Sequence, residues 1–222
     1  MTPAKRPSHA ALKIAISRSY WDVVDLMTWC FLSCRISLMP LECYHRLLPK
    51  EGRIVEVGCG HGVITQYLAR RGEARAVIGY EPDERRATIA QRAARGISNL
   101  EYRQGYFESS LQNGLVALVI IGVLYLLDDE TCLNVLSTAR NSLGAGGVFL
   151  LSDIWRKEQD LRYEFHLRRE HWFKQIGFTQ GQGLFVRSPE TWKELLHKAG
   201  FNRIEPFEAP VLMHSVFNWI CQ

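Results

Sequence analysis

"RIVEVGCGHGVITQYLARRG", Arg53–Gly72, decides the fold of this 222-residue chain. An apolar run of strand character meets glycines at three alternate positions, Gly58, Gly60 and Gly62. Apolar residues then return at helical spacing until Gly72. A strand, a glycine turn and a helix in that order open a parallel α/β sheet. Ligands of such sheets lie beyond the carboxyl ends of the strands, where glycine admits positive φ and exposes backbone N–H groups.

The same alternation continues outward from this stretch. "RAVIGYE" (75–81) reads as a strand, and "PDERRATIAQRAARG" (82–96) as a helix with Pro82 in its first turn and Gly96 at its end. "NLEYRQG" (99–105) is a strand, and "LVALVIIGVLYLL" (115–127) is apolar enough for a strand buried on both faces. "DETCLNVLSTARNSLGAGG" (129–147) reads as a helix ending in its glycines, followed by the strand "VFLLSD" (148–153). "SPETWKELLHKAGF" (188–201) is a helix capped by Ser188, and "NRIEPFEAP" and "VLMHSVFNWI" close the chain as an antiparallel pair. The expected fold is a doubly wound, mostly parallel seven-stranded sheet with an antiparallel C-terminal hairpin. Residues 1–52 are expected to form an N-terminal helical extension and residues 53–222 the main domain. That domain carries a helical insertion at about 154–182, after the fifth strand.

Composition narrows the function. At 47% apolar the chain supports a sizeable core, and a net charge of +4 falls short of the field expected of a dedicated nucleic-acid binder. The six cysteines form no CxxC pair and no cluster of zinc-ligand spacing, so no metal site is expected. No signal-peptide pattern is read at the N-terminus, and a cytoplasmic location with reduced thiols is expected. "WDVVDLMTWCFLSCRI" (21–36) is interrupted by Asp22, Asp25 and Arg35, and it is shorter than the roughly 20 apolar residues of a membrane span. A packed helix, a lid and a peripheral membrane contact all fit it.

The glycine spacing separates two ligands. The dinucleotide fingerprint is G-x-G-x-x-G, with a pyrophosphate on the helix N-terminus. Here the run is Glu56-Val57-Gly58-Cys59-Gly60-His61-Gly62: the third glycine comes one residue early, and an acid precedes the loop. That acid would repel a pyrophosphate and accept from a protonated amine. Glu81, at the end of the next strand, stands where a carboxylate accepts from ribose hydroxyls. Together these groups describe an amino acid joined to a nucleoside.

"VEVGCGHG" followed by "VIGYEPDERR" resembles motif I and the next acidic strand end of class I S-adenosylmethionine-dependent methyltransferases, and the resemblance extends from Arg53 to about Phe207. It implies a Rossmann-like fold, S-adenosylmethionine as cofactor and S-adenosylhomocysteine as product. It places Gly58, Cys59, Gly60 and Gly62 along the methionine and ribose, Glu56 near the methionine amine, and Glu81 with Pro82 at the ribose. Tyr106 stands where many members carry an Asp that contacts the adenine amine; Phe107 flanks the adenine ring, and Glu108 is a substitute acid. The chain departs from the family again in "GLVALVII", which lacks an initial Asp, and in Gly122-Val123-Leu124-Tyr125, where many members read Asp-Val-Leu-His.

Methyl transfer needs alignment and, for some acceptors, a base. Asp153, at the end of the fifth strand, is a candidate for orienting or deprotonating the acceptor, and also a plain cap. Tyr125, just past the fourth strand, is a candidate hydrogen-bonding group or a packing residue. His166 is a candidate base, with His171 beside it, while His61 reads as a wall of the loop. "HLRREHWFKQ" (166–175) is basic and aromatic, either a solvated helix or a cover over the pocket. The insertion with "GLFVRSPETWKELLHKAGF" also resembles small methyltransferases of bacterial polyene or fatty-acid-like pathways. The expected partner is a small hydrophobic or aromatic acceptor, free or bound to an acyl carrier protein. "SVFNWI" suits an interface strand of a homodimer. Two other functions remain open: a non-catalytic methyltransferase-like scaffold and an NAD(P)-dependent oxidoreductase.

Overall fold

The computed structural model describes residues 7–108, 114–154, 168, 183–208 and 216–222. The chain divides into two compact units, Met1–Phe107 with Leu115–Ala117, and Glu108–Gly114 with Leu118–Gln222.

The first unit begins with three helices: α1 (His9–Ser19), α2 (Leu26–Leu38) and α3 (Leu41–Leu47). The apolar run over 21–36 does not form one helix. Asp25 accepts from the Thr28 backbone N–H at 3.0 Å and from its hydroxyl at 2.7 Å, and this cap starts α2 afresh. Helix α1 packs on α2, and both α1 and α3 pack on α4 (Val63–Arg71). The buried Arg75 guanidinium donates to the carbonyls of His45, Leu48 and Pro49, satisfying the open C-terminal end of α3. Strands β1 (Gly52–Val57), β2 (Arg75–Glu81) and β3 (Leu100–Gln104) are parallel, with Glu56 opposite Gly79 and Glu81 opposite Gln104. Helix α5 (Glu84–Ala93) is capped by Asp83, which accepts from the Arg86 N–H at 2.8 Å. Pro82 therefore precedes the cap and lies outside the first turn, because the Asp side chain is the better N-terminal partner.

Strand β4 (Leu115–Ile121) stops early in its apolar run. Gly122, at φ +66, turns the chain into a 3₁₀ turn over Leu124–Leu126. In the second unit, α6 (Asp129–Ser142) ends before the glycines expected to finish it. The chain is extended from Leu143, and Gly144, Gly146 and Gly147 lie inside a twelve-residue strand, β5 (Leu143–Ile154). Ser142 marks the change by donating to the Thr138 carbonyl at 2.8 Å, and Gly146, at φ +72, lets the strand bend. Helix α7 (Pro189–Lys198), capped by Ser188, packs on α6. Strand β6 (Ile204–Pro206) is shorter than "NRIEPFEAP". Strand β7 (Val216–Cys221) runs antiparallel to both β5 and β6; all six of its residues pair with β5, and Trp219, Ile220 and Cys221 pair with β6 as well.

The seven strands form one sheet in the order β3-β2-β1-β4-β5-β7-β6, the doubly wound sheet with an antiparallel C-terminal hairpin expected from the sequence. The expected helical insertion lies outside the described residues apart from its first residue, Ile154, which ends β5, and Arg168. Among the described residues no helix is long and apolar enough to cross a membrane, and no group of His, Cys, Asp and Glu is placed to hold a metal ion.

Candidate functional site

The first unit gathers Glu56, Gly58, Cys59, Gly60, Gly62 and Glu81 around the turn that joins β1 to α4. The turn is tied to β2 by the N–H groups of Gly58 and Cys59, which donate to the Tyr80 carbonyl at 2.8 and 3.0 Å. Gly60 N–H donates to Glu81 Oε2 at 2.7 Å, and Glu81 Oε1 accepts from Asp83 N–H at 3.1 Å. Glu81 is thus oriented by backbone donors on both sides, with carboxylate lone pairs still open for hydroxyl donors.

The three glycines serve different neighbours. At Gly60 (φ +57) the position of a Cβ is open space, which leaves room for a ligand against the backbone. At Gly62 (φ +80) a Cβ would fall on the phenol of Tyr102. That phenol donates to the Gly62 carbonyl at 2.9 Å and shares a 2.7 Å hydrogen bond with Thr65 Oγ1. The close approach at Gly62 therefore comes from the protein itself. No pattern in the sequence links Tyr102, on β3, to that glycine.

Glu56 is the most unusual group of the turn. It is 3% exposed, and its Oε2 has no hydrogen-bond partner among the described residues. Burial pushes its carboxyl up to about 8, against the pull of the Arg35 charge and the Thr65 N–H; Glu81 adds to the rise. A buried, underpartnered acid beside an open glycine turn is suited to a cationic guest. His61 is held at about 4 by burial and by the charges of Arg86 and Arg35, so its ring is neutral at pH 7. Its carbonyl accepts from the Tyr20 hydroxyl at 2.6 Å, and that hydroxyl also accepts from Gln66 Nε2 at 3.0 Å. Tyr20, fully buried at the end of α1, is a second residue that sequence reasoning missed. Burial raises the Cys59 thiol well above its ordinary range, which makes it a packing residue.

Phe107 is half-buried and packs edge-on against Tyr80, with ring centroids 5.3 Å apart. Tyr106 is 80% exposed, and Glu108 is exposed as well. Pro82, next to Glu81, is exposed.

Asp153 and Tyr125 meet in the second unit. Asp153 is fully buried, and its carboxylate accepts from the N–H groups of Leu124 (2.8 Å), Tyr125 (3.2 Å) and Ile154 (2.7 Å). Burial raises it to about 7 in spite of these three donors. From the other side the buried Arg187 guanidinium donates to the carbonyls of Leu124 (3.0 Å) and Leu127 (2.6 Å) and pairs with Asp129 at 2.7 Å. Phe185 N–H closes on the Tyr125 carbonyl at 2.7 Å. The 3₁₀ turn is thereby fixed at both its donors and its acceptors, and Asp153 acts as its anchor. The Tyr125 ring is buried and packs with Ile154, Leu126, Leu184 and Val186. His166 and His171 lie outside the described residues.

The sequence profile of the family described as "Methyltransferase domain" matches residues 35–205. The chain is 25% identical over 199 residues to the lovastatin diketide synthase lovF of Aspergillus terreus, a match that covers 86% of this chain and 8% of that protein's length. Among solved structures it resembles PigF with SAH, with a TM-score of 0.67 at 13% identity, covering 98% of this chain and 63% of the other. It also resembles the mitomycin 7-O-methyltransferase MmcR, with a TM-score of 0.64 at 16% identity, covering 97% and 73%. At such identities the structural likeness shows the fold. With the profile spanning most of its length and the doubly wound sheet in place, this chain belongs to the class I S-adenosylmethionine-dependent methyltransferase family.

Proposed function

We propose that the chain transfers the methyl group of S-adenosylmethionine to a small hydrophobic or aromatic acceptor. The observation that carries the cofactor assignment is the underpartnered Glu56 carboxyl beside the open backbone of Gly60. The residues fit the group: Glu56 would hold the amine, the Gly58–Gly62 turn the chain between amine and sugar, and Glu81 the ribose hydroxyls. Phe107, set edge-on to Tyr80, would flank the base. When bound, the cofactor supplies an electrophilic methyl on a sulfonium. The protein's part is to orient both reactants and exclude water. In this reading Asp153 positions the turn that carries Tyr125, and does not act as the base, because all of its described contacts are to backbone N–H groups. His166 stays our candidate base.

The acceptor class draws support from two similar proteins. One is named for the synthesis of a lovastatin diketide, which supports an acyl-type acceptor presented on a carrier protein. The other is named for O-methylation of mitomycin, which supports a free ring compound. We read the chain as cytoplasmic, a setting its six free thiols suit.

Calorimetric titration with S-adenosylhomocysteine beside NADH tests the cofactor. Micromolar binding of the first and none of the second is expected; the reverse would replace this reading with an oxidoreductase. A panel of phenolic and carrier-bound acyl acceptors, read by transfer of labelled methyl, then tests the acceptor class.

A further inference from the structure

The outer face of α2 carries residues that proteins mostly keep inside. Cysteine and methionine are among the side chains most often buried. Of the six cysteines, Cys59, Cys132 and Cys221 are buried and Cys43 is half-buried, while Cys30 and Cys34 are exposed. Met27, on the same helix, is 81% exposed. Positions 27, 30 and 34 are the i, i+3 and i+7 of one helical stripe. At 3.6 residues per turn the three fall within an arc of roughly 60°. Leu32 and Ile36, the buried residues of α2, stand on the opposite side of the helix.

The stripe is held on a fixed support. Trp29 donates to the Ser17 carbonyl of α1 at 3.0 Å, and the Ser17 and Ser33 hydroxyls meet at 2.7 Å. Lys13 of α1 donates to the carbonyls of Ser37 and Met39 at 2.8 and 2.9 Å, which ties down the C-terminal end of α2. The spacing of the sulfurs is therefore set by the helix. Cβ atoms four residues apart on a helix are about 5–6 Å apart. A disulfide needs about 3.5–4.5 Å between them, so the two thiols do not close on each other without unwinding the turn. A bridging ion relieves that constraint, because two metal–thiolate bonds of about 2.3 Å each lie between the sulfurs. Thiolate and thioether donors are soft and favour copper(I). A structural zinc ion takes four ligands, and no group of three or more His, Cys, Asp and Glu is placed for one among the described residues.

We propose that Met27, Cys30 and Cys34 form a copper(I) site on the outer face of α2. Two thiolates and one thioether are the ligands, and the thiol protons pass to solvent on binding. The inference is independent of the methyl-transfer reading, since none of the three residues belongs to the cofactor site described above.

Anaerobic titration of the full chain with copper(I), in competition with the chromophoric chelator bicinchoninate, tests the site. The wild-type chain should withdraw one copper(I) per chain from the chelator. Cys30→Ser and Cys34→Ser should each weaken binding roughly a hundredfold or more, since even the outer partners of a metal ligand are worth about 10–100-fold. Met27→Leu should weaken it roughly tenfold. Cys43→Ser, at the half-buried thiol of α3, should leave it unchanged. Thermal melts check that the variants fold, and sedimentation should show the same species with and without the ion. Failure of the wild-type chain to compete with the chelator would overturn the inference. So would binding that survives loss of both Cys30 and Cys34, or one ion shared by two chains in a copper-dependent dimer.

Discussion

Gly60 and Glu81 are joined by a 2.7 Å hydrogen bond from backbone N–H to carboxylate, so the turn after β1 and the acid at the end of β2 form one piece. Glu81→Ala removes that bond together with the acceptor proposed for the ribose. S-Adenosylhomocysteine should bind about 1.5–3 kcal/mol more weakly. Glu81→Gln, which keeps one acceptor oxygen, should fall between. Unchanged affinity in folded Glu81→Ala would refute the assignment.

The glycines of the turn should respond differently to the same substitution. Gly60→Ala meets open space and carries mainly the conformational strain of positive φ, about 1 kcal/mol. Gly62→Ala carries that strain and also displaces the Tyr102 phenol, for a total of about 3 kcal/mol. Urea denaturation of the two variants measures the difference. Gly60→Val should fold and lose S-adenosylhomocysteine binding, since its side chain fills the space left for the ligand.

Glu56 makes binding depend on pH. Burial places its carboxyl at about 8, so in the unliganded chain it is mostly protonated at pH 7. A cofactor ammonium lowers that value, and binding then releases a proton. Affinity should rise with pH up to about 8 and level off above it. Titrations in buffers of different ionisation enthalpy should report the released proton, and Glu56→Gln should abolish both effects. The stability of the unliganded chain runs the other way. A carboxyl raised above its unfolded value of 4.5 contributes stability that is complete below that pH and lost as pH rises through 8. Asp153, raised to about 7, adds a loss of the same sign, so thermal midpoints should be followed in Glu56→Gln and Asp153→Asn separately.

Asp153→Ala leaves three backbone N–H groups of a buried turn without their acceptor. The expected loss is about 2–4 kcal/mol, and Asp153→Asn should retain part of the stability because its amide oxygen still accepts. If Asp153→Ala unfolds at the wild-type urea midpoint, the anchoring role is wrong.

The order of strands and helices was legible because the elements after residue 52 carry either a period or, as in β4, an unbroken apolar run between turn signals, and the glycine turn was legible because its spacing departs from the dinucleotide fingerprint. What stayed hidden was set by side chains reaching over distance. The break at residues 20–25 depends on which of two aspartates caps a helix, and Asp25 does so through Thr28. The early end of α6 depends on glycines that serve a strand as readily as a helix terminus. In the site, Glu56 and Glu81 could be named from their places in the pattern. The company they keep could not: Tyr20 lies 41 residues from the carbonyl it holds, and Tyr102 lies 40 residues from the glycine it fills. Asp153 drew attention as an acid at a strand end, but a sequence does not show that three amides already surround it.

Helix α1 is pinned at two points: His9 Nδ1 meets the Tyr67 hydroxyl at 2.7 Å, and Tyr20 meets the His61 carbonyl. The pins are eleven positions apart, just over three helical turns and about 16.5 Å of rise, which brings both to the same side of the helix. The helix is therefore a ruler whose length is read against the glycine turn and the first turns of α4. Adding or deleting one residue between the pins would rotate one of them by roughly 100° relative to the other, so that only one pin could engage at a time. The segment should accept many substitutions on its outer face and no change of length.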